Sequence, residues 1–177
     1  HRDLHRLIRR QRQMCIRDSY EGLYSVQTQA YGPQSRGGAS KAEVVISDEL
    51  IDYPKALNPD YAVLLSQQAY EKYLSLAKEG GIVIVEKDLI PNRNEELEKN
   101  FRVHAIPFTK LAEESTGLSL TMNILTLGFL VKLTGIVSEE AIEKAVLDSI
   151  PKGTEHLNLK ALKKGFELGE KALKGEL

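Results

Sequence analysis

Apolar positions in this chain come in short blocks, and their spacing alternates between the period of a strand and that of a helix. Residues 24–30 (YSVQTQA) put Val26 and Thr28 on one face and predict a strand; residues 42–47 (AEVVIS) predict a second. The connection between them, residues 31–38, is rich in glycine and proline and too short for a parallel crossover, so the two strands are expected to be antiparallel neighbours. Residues 61–66 (YAVLLS) and 81–86 (GIVIVE) are unbroken apolar runs, the pattern of strands covered on both faces. A shorter strand is predicted over 101–106, just before Pro107. Between the two apolar strands, residues 67–78 place Ala69, Tyr73, Leu74 and Ala77 at helical spacing, and Gly80-Gly81 stops them.

The last third reads as helix. Residues 107–116 open with Pro107, whose missing N–H costs nothing in a first turn, and Gly117 closes them. Residues 121–133 are apolar almost all round, which predicts a centrally packed helix. Ser138 is an N-cap with Glu139 and Glu140 at the positive end of the dipole, and that helix runs to Ile150 and stops at Pro151. A final amphipathic helix is predicted over 158–173. Together these elements predict an α/β fold: a three-layer α/β/α domain (Rossmann-like) with a mixed, mostly parallel sheet and a helical C-terminal third.

Composition narrows the function classes. The 177 residues fit one domain, and the formal charge of −1 gives no surplus for nucleic acid or an anionic membrane. The longest apolar run, 124–133, falls short of the roughly 20 residues that span a bilayer, and no apolar leader comes after the basic N-terminus. These features predict a cytoplasmic protein. The single cysteine, Cys15, excludes a disulfide framework or a cysteine-rich metal site held by this chain alone.

Residues 1–19 differ in charge from the rest of the chain. Six arginines against two aspartates give +4 there, whereas residues 20–177 carry 18 bases against 23 acids, or −5. Leu4, Leu7 and Ile8 have the spacing of a basic surface helix, and six charges alone are thin support for a nucleic-acid or membrane arm. The string from Gln11 to Ser19 resembles read-through of sequencing-adapter DNA, so residues 1–19 are read as a non-native or disordered segment and 20–177 as the domain.

Few residues offer chemistry. In the loop 31–38, Arg36 beside Gly37 and Gly38 suits an anion, since glycines let backbone N–H groups approach it; turn geometry alone explains the same glycines. His104, mid-strand beside Arg102, reads as structural, and His156 as help for a helix cap. Asn123 stands in an apolar helix, where a buried amide needs a partner. Asp48, Asp52 and Asp60 show no metal spacing, and no triad, paired-carboxylate site or phosphate loop is present.

The run from Gln27 to Ser40, QTQAYGPQSRGGAS, and then Val44-Val45-Ile46-Ser47-Asp48, resembles the gamma subunit of 2-oxoacid:ferredoxin oxidoreductases. Gly80 to Val85 and Asn123 to Gly128 agree in order and distance, and Arg36-Gly37-Gly38-Ala39-Ser40 is closest to the 2-oxoglutarate branch; pyruvate- and indolepyruvate-type subunits share the domain. The resemblance covers residues 20–177 and departs at the start, where the family opens with a strand, a glycine-x-glycine-glycine-glutamine-glycine loop and a helix. It implies an enzyme that decarboxylates a 2-oxoacid, transfers the acyl group to CoA and reduces ferredoxin. Thiamine diphosphate with Mg and the iron–sulfur clusters are implied on the alpha and beta, and where present delta, subunits, with none held here. Tyr31, Gly32, Arg36, Gly37, Gly38 and Asn123 are then the residues for a CoA or substrate pocket, with no catalytic acid or base and no metal ligand. A non-catalytic anion- or CoA-binding module, or an assembly module, is the alternative.

Overall fold

The computed structural model describes residues 14–17, 24–31, 40–53 and 55–177. Strands β1 (Met14–Arg17), β2 (Tyr24–Tyr31) and β3 (Ser40–Ser47) form an antiparallel sheet in that order. The β2–β3 register runs from Tyr24 opposite Ser47 to Tyr31 opposite Ser40, the antiparallel pairing that the sequence predicts. Strands β4 (Tyr61–Leu64), β5 (Ile82–Glu86) and β6 (Arg102–Ile106) form a parallel sheet, β5 in the middle.

The fold is α/β, as the pattern predicts, with its described strands divided between two sheets instead of joined in one. No ladder joins β3 to β4; a groove of about 180 Å³, lined by Ala42 and Val44 from one strand and by Ala62, Val63 and Leu64 from the other, lies between them. Lys41 links β3 to the helix that follows β4, its Nζ 5.3 Å from the centre of the Tyr73 ring while it pairs with Glu43 on its own strand.

Helices cover both faces of the parallel sheet. Helix α1 (Gln67–Tyr73), capped by the Ser66 hydroxyl accepting from Ala69 N–H, continues as a 3-10 turn to Leu76. It lays Tyr70 and Leu74 on Val83 and Val85. On the opposite face Ile82 and Ile84 meet Phe108 and Ala112 of α3 (Phe108–Thr116), Leu125 and Phe129 of α4 (Met122–Thr134), and Ala161 and Leu168 of α6 (Glu155–Leu173). The period-2 alternation of one strand therefore serves two cores. A third cluster, Val131, Val146, Leu162 and Phe166, joins α5 (Glu139–Ser149) to α4 and α6. The short α2 (Glu95–Glu98) and the strand β1 were not marked by periodicity.

Caps fall where the sequence puts them: the Ser138 hydroxyl accepts from Ala141 N–H, and Gly117 closes α3 at φ 78°, a conformation that favours glycine. Helix α6 begins at Glu155, three residues before the predicted start, so His156 lies inside its first turn and the capping position belongs to Thr154. Asn123 is exposed, and its amide is solvated rather than buried in the core.

The closest packing in the domain is the crossing of α4 and α6, and glycine makes it possible. A Cβ on Gly165 would run into the Leu125 carbonyl oxygen and lie 2.7 Å from Phe129 N, and one on Gly128 would strike the Leu162 carbonyl oxygen. Backbone cannot yield as a side-chain tip can. Gly165→Ala is expected to lower stability by about 2–3 kcal/mol or more, the scale of an overpacked core. Urea unfolding measures it, and a midpoint equal to that of the unchanged chain contradicts the close crossing.

Candidate functional site

In open α/β sheets ligands settle outside the carboxyl ends of the strands, so a site is expected at the ends of β4, β5 and β6. Three ties hold the loop that leaves β5. Gln67, in the first turn of α1, exchanges two hydrogen bonds with the Asn92 backbone: its Nε2 donates to the carbonyl (2.9 Å) and its Oε1 accepts from the N–H (3.1 Å). Tyr70 Oη accepts from Asn94 N–H at 2.8 Å and donates to Glu98 Oε1 at 2.7 Å. Arg93 closes a two-point grip on the same carboxylate, Nε to Oε1 at 2.9 Å and Nη2 to Oε2 at 2.6 Å.

The charges respond to that geometry. Burial alone would raise the Glu98 pKa, but the hydrogen bonds from Arg93 and Tyr70 outweigh it and hold it below the ordinary carboxylate value. Burial, and after it the Glu98 contact, pushes Tyr70 up. A forked guanidinium on a buried carboxylate fixes orientation more than it adds stability. The result is a loop held rigid at the carboxyl end of the sheet.

Glu86, the last residue of β5, is fully buried. Its Oε1 accepts from Asp88 N–H at 3.1 Å, and its Oε2 accepts from Thr109 N–H at 2.9 Å and the Thr109 hydroxyl at 3.2 Å. The carboxylate thus occupies the N-terminal end of α3, where the helix dipole favours negative charge. An acidic residue closing the run IVIVE, ahead of a Pro-Phe-Thr helix start, was the available signal; sequence reasoning passed over it.

Of the residues singled out from the sequence, Tyr31 ends β2 in the antiparallel sheet, and Asn123 stands exposed in the first turn of α4 on the far side of the parallel one. Gly32, Arg36, Gly37 and Gly38 lie outside the described residues. His104 is half-buried in β6, its ring edge-on to Phe129 with centroids 5.9 Å apart, as a structural residue would be. Among the described residues no group of three or more His, Cys, Asp or Glu side chains is placed to hold a metal, and no single helix is long and apolar enough to cross a membrane. One cysteine does not fit an iron–sulfur cluster, which takes several thiolates.

The family described as pyruvate ferredoxin/flavodoxin oxidoreductase matches residues 16–168. The chain belongs to that family. It is 53% identical over 151 residues to the 2-oxoglutarate synthase subunit KorC of Methanocaldococcus jannaschii, covering 85% of this chain and 80% of the relative. Among solved structures it is similar to a keto/oxoacid ferredoxin oxidoreductase gamma subunit from Geobacter sulfurreducens, with 40% identity, a TM-score of 0.70 and coverage of 85% and 83%. A 2-oxoglutarate:ferredoxin oxidoreductase from Magnetococcus marinus, with 2-oxoglutarate, coenzyme A and succinyl-CoA bound, shares the fold at TM-score 0.73 and 19% identity over 84% of this chain and 26% of that one. The resemblance read from the sequence to a gamma subunit of this enzyme class is borne out.

The charges give two measurable outcomes. Burial, and then the charge of Arg102, hold the His104 pKa below its ordinary 6.5, so the unfolded chain takes up this proton more readily than the folded one. Its contribution to stability is full above pH 6.5 and declines as pH falls below it. The urea midpoint is expected to fall from pH 7.5 to pH 5, and to fall less in His104→Phe; an identical fall in both sinks the assignment. Glu98→Gln, which breaks the grip of Arg93, is expected to cost about 3 kcal/mol in the same assay at pH 7.

Proposed function

We propose that this chain is the gamma subunit of a cytoplasmic 2-oxoglutarate:ferredoxin oxidoreductase, which converts 2-oxoglutarate and CoA to succinyl-CoA and CO2 and passes the two electrons to ferredoxin. The observation that carries the substrate is the 53% identity to a 2-oxoglutarate synthase subunit over 85% of the chain. The hard chemistry belongs to the cofactors, thiamine diphosphate with Mg and the iron–sulfur clusters, which we assign to the alpha and beta subunits and to a delta subunit where one is present. This chain completes the assembly and shapes the pocket for CoA.

Within that role the segment after Tyr31 supplies Gly32, Arg36, Gly37 and Gly38, and α4 supplies Asn123. A guanidinium beside two glycines offers a fork and bare backbone N–H groups to a phosphate or carboxylate, and an exposed amide can both donate and accept.

The test is co-purification with the alpha and beta subunits, then 2-oxoglutarate- and CoA-dependent reduction of ferredoxin or viologen. Versions with residues 1–19, without them, and with a glycine-loop opening added run side by side. Turnover with 2-oxoglutarate, strongest in the version with the added opening, is the expected result; no assembly and no 2-oxoacid turnover in any version overturns the reading. Arg36→Ala separates its two parts. A raised KM for CoA with intact assembly places Arg36 in the pocket, and loss of assembly makes it an interface residue.

A further inference from the structure

Glu86 is a fully buried carboxylate with no cation among its hydrogen-bond partners, which are Asp88 N–H, Thr109 N–H and the Thr109 hydroxyl. Burying such a charge is costly, and here backbone and hydroxyl donors take the place of a cation in offsetting it. These bonds reach two elements at once, the turn leaving β5 and the first turn of α3. A third is attached through Thr109, whose Oγ1 also lies 3.0 Å from the sulfur of Met122 at the start of α4. Met122 precedes Asn123, which is exposed.

We infer that Glu86 is a positioning residue for Asn123: through Thr109 and Met122 it sets the first turn of α4 and so the place of the Asn123 amide. This rests on the reading that Asn123 faces the CoA pocket. The chemistry is specific to a carboxylate. Oε1 accepts from one backbone N–H and Oε2 from another, so both oxygens must accept whether the single Thr109 hydroxyl proton points at Oε2 or at the Met122 sulfur. A glutamine of the same shape turns an NH2 toward one of the two backbone N–H groups, which then loses its acceptor. Either loss shifts a segment bonded to Glu86, while apolar packing around it is unchanged.

The assembled oxidoreductase tests this through the KM for CoA and kcat in Asn123→Ala, Glu86→Gln, Thr109→Val and Thr109→Ser. Asn123→Ala, Glu86→Gln and Thr109→Val are expected to raise the CoA KM about three- to tenfold, the scale of one hydrogen bond, with kcat within about twofold. Thr109→Ser, which keeps the hydroxyl, is expected to restore the unchanged value. The inference is overturned if Asn123→Ala raises KM while Glu86→Gln and Thr109→Val leave it alone, or if kcat and assembly fall with KM unmoved. Should Glu86→Gln not assemble, the Thr109 pair decides, since those changes leave the buried charge in place. If Asn123→Ala itself leaves KM unchanged, the pocket reading fails and this inference with it.

Discussion

The complete burial of β5 is the constraint on which the rest of the structure depends. Val83, Ile84 and Val85 are fully inaccessible, and Ile82 is close to it. Each such side chain removes about 1.5–3 kcal/mol worth of apolar surface from water. A strand buried on both faces needs cover on both, and its alternating side chains divide the labour. Val83 and Val85 call for α1, and Ile82 and Ile84 for α3, α4 and α6. With β5 central and its neighbours parallel, all three strands end at one edge, where the chain leaves the sheet for its helices.

That edge is built differently from the core. It holds Glu86, and the crossover from there to β6 holds Glu98; both are among the few buried polar side chains of the described residues, and both have partners. Their hydrogen bonds reach across elements distant in sequence: Glu86 to Thr109, Tyr70 to Glu98, Gln67 to Asn92. Such groups add little to net stability, because desolvation offsets the attraction. They fix geometry instead. Rigid loops and helix starts at the carboxyl end of a parallel sheet are what a subunit needs if it is to present a pocket wall without ordering it anew at each binding event.

In the helical third, close contact of backbones adds to the packing of large side chains such as Phe129 and Phe166. Gly128 and Gly165 let α4 and α6 approach until backbone meets backbone, and Phe129 then reaches Phe108 edge-on at 5.4 Å and His104 at 5.9 Å. This places α4, and Asn123 at its start, against the sheet by a contact that a single methyl group would prevent. The family match over residues 16–168 includes both Gly128 and Gly165.

Most elements could be read from the chain because their signals are local. Buried strands announce themselves as apolar runs, helices end at Gly117 or Pro151, and Ser138 with its two glutamates starts one. The segment with Arg36 stood out because its glycines and proline cluster in eight residues. The sequence alone thus determined the α/β class, the antiparallel strand pair, the buried parallel strands and, through the resemblance, the gamma-subunit family. Tertiary structure alone decided what depends on distance in space. It separated the strands into two sheets, since a groove between edges has no sequence period, and made Gly128 and Gly165 indispensable, since a close crossing involves two helices. It brought Asn123 to the surface of a helix apolar almost all round, and made Glu86 a shared acceptor for Asp88 and Thr109: the acidic end of IVIVE marks the residue, but a partner 23 residues away is chosen only in space.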